Sequence, residues 1–337
     1  MQRRHLLQIA LAASSAPAFV RNALAADTER FALGIASGTP RPDGMVLWTR
    51  LVGADLPASV TVQWEIAYDE HFTRIAARGV ETALAEDAHS VHAEPAGLAP
   101  DRWYWYRFTA LGQRSPVGRT RSTPTPDADV TLLRFTTASC QRWDHGHWAA
   151  WRDVATRELD CVLFLGDYIY EYATPANANV VRRHDGGATL TLDHYRRRYA
   201  QYKSDPALQA AHAFVPWICI WDDHEVQNDW AGDVGEDLSP SFPARRVAAT
   251  RAYWEHMPFP KALRPDAAGD MRINTHCDWG RLARLIMLDA RSHRDPQSCP
   301  KPNRAGSAFV DAAHCPGLVD PQRSLLGAAQ ERWLGRT

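Results

Sequence analysis

The sequence predicts two unlike halves: a small all-β sandwich over residues 30–122, then an α/β unit over 131–337 with a mainly parallel sheet flanked by helices. Three observations lead there. Short β-branched and aromatic runs separated by turn signals fill the first segment. Apolar runs of strand length alternate with helical periodicity in the second. A Pro-rich polar stretch, RSTPTPDADV (121–130), divides the two.

Residues 1–25 precede both halves. Arg3-Arg4, the apolar LLQIALAASSAPAFV and the small-x-small site Ala23-Leu24-Ala25 form a signal peptide of twin-arginine type. The expected partner is the twin-arginine export machinery, and the expected location is periplasmic or secreted. The apolar stretch is too short for a stable membrane span. In the sandwich, VLWTRL, VTVQWEIAYD and WYWYRFTAL read as strands, with turns at TPRPDG and AGLAPD. Beyond the linker, TLLRFTTAS, DCVLFLG, FVPWICIW and RLARLIMLD read as four strands. Between them, helices are expected at 145–158 with Asp144 as N-cap, around Tyr195, Tyr199 and Tyr202 at i, i+4, i+7, and at 240–257.

Composition bounds the function. The 337 residues, 45% hydrophobic and 23% charged, suit two globular units, and thirteen Trp supply a sizeable core. Removing Arg3, Arg4 and Arg21 leaves 35 basic against 39 acidic residues, a net charge of −4. That balance lacks the basic field of a nucleic-acid-binding protein. Six cysteines in an exported chain suggest a disulfide. Cys161 and Cys219 fall within strands as core residues, and Cys299–Cys315 is the expected bridge between loop positions.

A polar cluster follows each of the four strands: Cys140-Gln141-Arg142, Gly166 to Tyr172, Asp222 to Asn228, and Asp289 to Asp295. Parallel strands would bring all four clusters to one sheet edge, where ligands bind in open α/β folds. Asp167 is a hard oxygen donor, Tyr170 brings a phenolate and Cys140 a thiolate, a set that suits Fe(III). Asp223 and Asn228 offer oxygens for Ca2+, Mg2+ or another divalent ion. Metals sharing a carboxylate would form a clamp for phosphoryl transfer. His224 is a ligand or a general acid, and Arg142 and Arg291 are candidates to hold a phosphate.

The runs ASCQ (138–141), GDYIYEY (166–172), RRRYAQYKSDPALQAAHAFVPWICIWDDHEVQNDWAGD (196–233) and LDARSHRD (288–295) resemble those of PhoD-like alkaline phosphatases. GIASGTP and VLWTR resemble that family's N-terminal domain, so the likeness covers roughly residues 30–335. The resemblance implies a metallophosphoesterase-like α/β fold of layered sheets and an exported phosphatase or phosphodiesterase using Fe3+ and Ca2+. Its implied mechanism is attack by metal-activated hydroxide on a phosphate mono- or diester. By match to the motifs, Cys140, Asp167 and Tyr170 would hold iron, and Asp167, Asp223 and Asn228 calcium. His224 would contact phosphate or protonate the leaving group, with Asp222 supporting the ligands. The family continues past the segment matching Leu326–Leu334 into a strand-rich half that completes the metal site. The resemblance therefore implies a chain lacking its C-terminal part. Rival expectations are a catalytically inactive fragment that binds phosphate or a partner, and a phospholipase D-like phosphodiesterase.

Overall fold

The computed structural model describes residues 29–337; the segment 1–25, expected from the sequence to be a signal peptide, lies outside the described residues. The first segment contributes β1 (Ile35–Arg41), β2 (Gly44–Arg50), β3 (Ser59–Ala67), β4 (Ile75–Leu84), β5 (Ser90–Ala93), β6 (Trp103–Ala110), β7 (Gln113–Arg114) and β8 (Gly118–Arg121). The second contributes β9 (Phe135–Ala138), α1 (Ala149–Val154), β10 (Cys161–Phe164), α2 (Leu192–Lys203), α3 (Pro206–Phe214) and β11 (Trp217–Cys219). It continues with α4 (Phe242–His256), β12 (Thr275–Trp279), β13 (Ala283–Met287) and α5 (Gly327–Leu334).

The β-rich part forms two sheets around one apolar layer. β6 alternates strictly, burying Tyr104, Tyr106, Phe108 and Ala110 while its other side chains stay partly exposed. These pack with Leu47, Val62 and Ile66 from β2 and β3. One sheet runs β4-β3-β6-β7, with β8 also paired to β6. The other continues into the second segment as a six-stranded sheet, β5-β2-β1-β11-β10-β9. β1 pairs parallel with β11 at Gly38 and Trp217. A Cβ on Gly38 would stand 2.6 Å from both the Trp217 carbonyl oxygen and Pro258 Cγ, so glycine permits that junction.

β9, β10 and β11 are mutually parallel, as the strand–helix alternation predicts. Their helices start where capping chemistry allows. Thr191 Oγ1 caps α2, and Asp205 accepts from Ala207 N and Leu208 N ahead of Pro206 in α3. Tyr195, Tyr199 and Tyr202 of α2 are fully buried against a core containing Trp151, Phe164, Tyr168, Trp217 and Tyr253.

Two elements differ from expectation. β13, within the predicted strand RLARLIMLD, does not join the parallel strands; it pairs antiparallel with β12 as a separate two-stranded sheet. Gly280 (φ +55°) and the Leu282 N–H to Trp279 carbonyl bond close a hairpin, giving this strand a local partner. The helix expected over 145–158 is confined to Ala149–Val154. Asp144 caps nothing because its buried carboxylate accepts from Arg142 and Thr174. Cys299 and Cys315 form a disulfide, and Cys161 and Cys219 are buried thiols, as expected. Among the described residues no helix is long and apolar enough to cross a membrane.

Candidate metal centre

The loops leaving β9, β10 and β11 are stitched together before any ligand is needed. Cys140 N donates to the Gly166 carbonyl at 3.1 Å and Gln141 N to the Asp167 carbonyl at 3.2 Å. The fully buried Glu225 accepts from Tyr168 N at 2.5 Å and Asp222 N at 2.9 Å, joining the second loop to the third. Burial and then the charge of Asp167 push its carboxyl up, against those two amide bonds. Gly166 (φ +102°) lets the loops touch, since a Cβ there would lie 2.3 Å from Asp222 N.

This frame presents the predicted donors. Asp167 Oδ2 accepts from Tyr170 Oη at 2.9 Å and from Cys140 Sγ at 3.3 Å. Asp167 and Cys140 both occupy the left-handed region, φ +57° and +56°, at a cost of roughly 1–3 kcal/mol each. Burial first raises both the thiol and the phenol pKa, and the charge of Asp167 adds to it. Atoms of Asp167, Asp223 and His224 lie within 4.8 Å of one another. Asp167 Oδ1 is buried with no hydrogen-bond partner among the described residues. A buried carboxylate oxygen left in that state is costly, and a cation would satisfy it. The donor set therefore fits a metal.

His224 packs at a 30° tilt against Tyr170, 4.1 Å between ring centroids, and meets Tyr172 edge-on at 5.3 Å. Its Nδ1 lies 2.7 Å from the buried Glu171 carboxylate. Burial lowers the imidazole pKa, but the Glu171 bond and the charges of Glu171, Asp223 and Asp167 outweigh it, raising the value to about 9. The other Glu171 oxygen accepts from Asn228 N at 2.6 Å. Asn228 Nδ2 donates to Ser307 Oγ at 2.8 Å.

The remaining predicted residues form ion pairs around this group. Arg291 Nε donates to Asp222 Oδ1 at 2.6 Å, Nη1 to Asp229 Oδ1 at 3.0 Å, and Nη2 lies 3.7 Å from Asp223. The loop after β13 thus reaches the centre although its strand lies outside the parallel sheet. Asp289 Oδ1 accepts from Trp221 Nε1 at 2.9 Å, and Gln330 of α5 brackets the Asp289 backbone at 2.8 and 2.7 Å. Arg142 lies over the rings of Tyr170 and Tyr172 at 5.6 and 5.8 Å, with Nε 2.7 Å from Asp144. Sequence reasoning gave no role to Glu171, Glu225, Asp229 or Ser307. The first three lie within the quoted motifs, whereas Ser307 carries no local signal.

Fold and site define a chain of the metallophosphoesterase type. Residues 135–337 match the profile of the PhoD-like phosphatase, and residues 14–124 that of the PhoD-like phosphatase N-terminal domain. The chain belongs to the PhoD-like phosphatase family. It is 43% identical over 315 residues to alkaline phosphatase D of Bacillus subtilis (strain 168), covering 90% of this chain and 52% of that protein. A solved structure of PhoD superposes with a TM-score of 0.84 at 42% identity, covering 92% of this chain and 60% of the other. The chain thus spans about half the length of the curated relative it matches.

Proposed function

We propose that this chain carries the catalytic centre of an exported, metal-dependent hydrolase of phosphate mono- or diesters. The observation that carries the proposal is the convergence of Cys140, Tyr170, Asp223 and His224 on Asp167, whose second oxygen is buried without a hydrogen-bond partner among the described residues. Cys140, Asp167 and Tyr170 would hold Fe3+; Asp167, Asp223 and Asn228 would hold Ca2+, or Mg2+ or another divalent ion. Bound there, the ions would supply Lewis-acid charge and acidify a water.

The side chains do the rest. Glu171 occupies His224 Nδ1, which leaves Nε2 to donate a hydrogen bond to a phosphoryl oxygen or a proton to the leaving alkoxide. Tyr170 and Tyr172 hold the ring plane from two sides. Arg142 is the better placed arginine for phosphate, because its only carboxylate partner among the described residues is Asp144. Arg291 is shared among Asp222, Asp223 and Asp229, and its role is to keep three carboxylates together. Asp222 orients Arg291 rather than touching an ion.

The direct test is p-nitrophenyl phosphate hydrolysis by the wild-type chain and by Asp167→Ala and Asp223→Ala. Each substitution is expected to cut turnover by a factor on the order of 10²–10³. Undiminished turnover by both variants refutes the proposed centre.

A further inference from the structure

Asn228 is an asymmetric donor to any cation: only its carbonyl Oδ1 can ligate, and a flip of the amide would present two N–H groups instead. Something must therefore fix which end faces the ion. Asn228 Nδ2 donates to Ser307 Oγ at 2.8 Å. The Glu236 carboxylate lies within hydrogen-bond reach of both Asn228 and Ser307, and is paired with Arg304. An ionised carboxylate only accepts hydrogen bonds, so the amide edge turned toward it must be the NH2. The Ser307 hydroxyl fits the same scheme, accepting from Asn228 and donating to Glu236. Oδ1 is then the edge left for a cation.

Ser307 reaches this position through a loop built to stay there. The Cys299–Cys315 disulfide closes the loop. Gln297 spans it, its side chain accepting from Ala308 N at 2.9 Å and its N–H donating to the Ala305 carbonyl at 3.2 Å. Ala305 N donates to the Glu236 carbonyl at 2.8 Å, and Ser307 N donates to Asp229. Gly306 permits the approach, since a Cβ there would fall 2.3 Å from Asp229 Oδ2.

We infer that Ser307 and Glu236 are positioning residues that set the amide orientation of Asn228, turning its carbonyl toward a divalent cation. The inference rests on the proposed ligand role of Asn228. Calorimetric titration of the metal-free chain with Ca2+ tests it, using wild type, Asn228→Ala, Ser307→Ala, Ser307→Thr and Glu236→Gln. Ser307→Ala and Glu236→Gln are expected to weaken Ca2+ binding about ten- to hundredfold, the range for groups that orient metal ligands. Ser307→Thr, which keeps the hydroxyl, is expected to bind within about twofold of wild type. The melting temperature of each metal-free variant reports folding, and Glu236→Gln decides the matter if Ser307→Ala does not fold. If Asn228→Ala weakens binding while Ser307→Ala and Glu236→Gln do not, the positioning role falls and the ligand role stands. If Asn228→Ala binds like wild type, or wild type binds no Ca2+, both fall.

Discussion

His224 shows how single residues acquire chemistry from partners far along the chain. Its raised pKa depends on Glu171, 53 residues away, more than on its acidic neighbours in sequence. Because the folded pKa of about 9 exceeds the ordinary value of 6.5, the pair stabilises the metal-free fold fully below pH 6.5, and that contribution is lost as pH rises through 9. Replacing Glu171 by Gln removes the charge and should bring the His224 titration down toward or below 6.5, read by NMR in the metal-free chain. A value still near 9 would assign the shift to another group. Asp167, Tyr170 and Asp223 were legible in the sequence because ligand-type residues directly follow apolar strands. Glu171 and Glu225 were not, because their roles come from burial and from partners on other loops; nor was the exposed Ser307, whose partners Asn228 and Asp229 lie 79 and 78 residues away.

At the scale of elements, β3 and β6 were readable because one side of the sheet is buried, and period-two burial leaves a visible pattern; β1 was hidden because its end, Thr39–Arg41, reads as a turn. The hairpin of β12 and β13 was not readable either. Both of its strands are only partly buried, and THCDW carries no clean alternation. The contact between the loops after β10 and β11 likewise hides in one residue. Gly166→Ala combines an unfavourable positive φ with a Cβ 2.3 Å from Asp222 N. It should destabilise the chain by about 1–3 kcal/mol or more, visible as a lowered melting temperature. An unchanged melting temperature would show that the two loops can separate without cost.

Across the whole molecule, the linker at 121–130 separates two sequence patterns but not two sheets, since β1 and β11 pair across nearly 180 residues of chain. That pairing was not legible because β1 forms an ordinary antiparallel hairpin with β2, and its second edge gives no sequence sign of a partner. The shared sheet seats the β-rich part against the strands that carry the centre. Trp221 and Trp230, which bracket the third loop, are both buried and pack edge to face at 6.3 Å, so the loop's two ends are anchored in the core. All of this converges on one claim: that the preformed carboxylate, phenol and thiol around Asp167 are a metal centre. Elemental analysis of the purified chain tests it most directly. Wild type should contain close to one iron per chain, with a visible phenolate or thiolate charge-transfer band. Asp167→Ala should lose both while remaining folded. Wild-type protein without bound metal after incubation with Fe3+ and Ca2+, or an Asp167→Ala variant with undiminished iron, would contradict the claim.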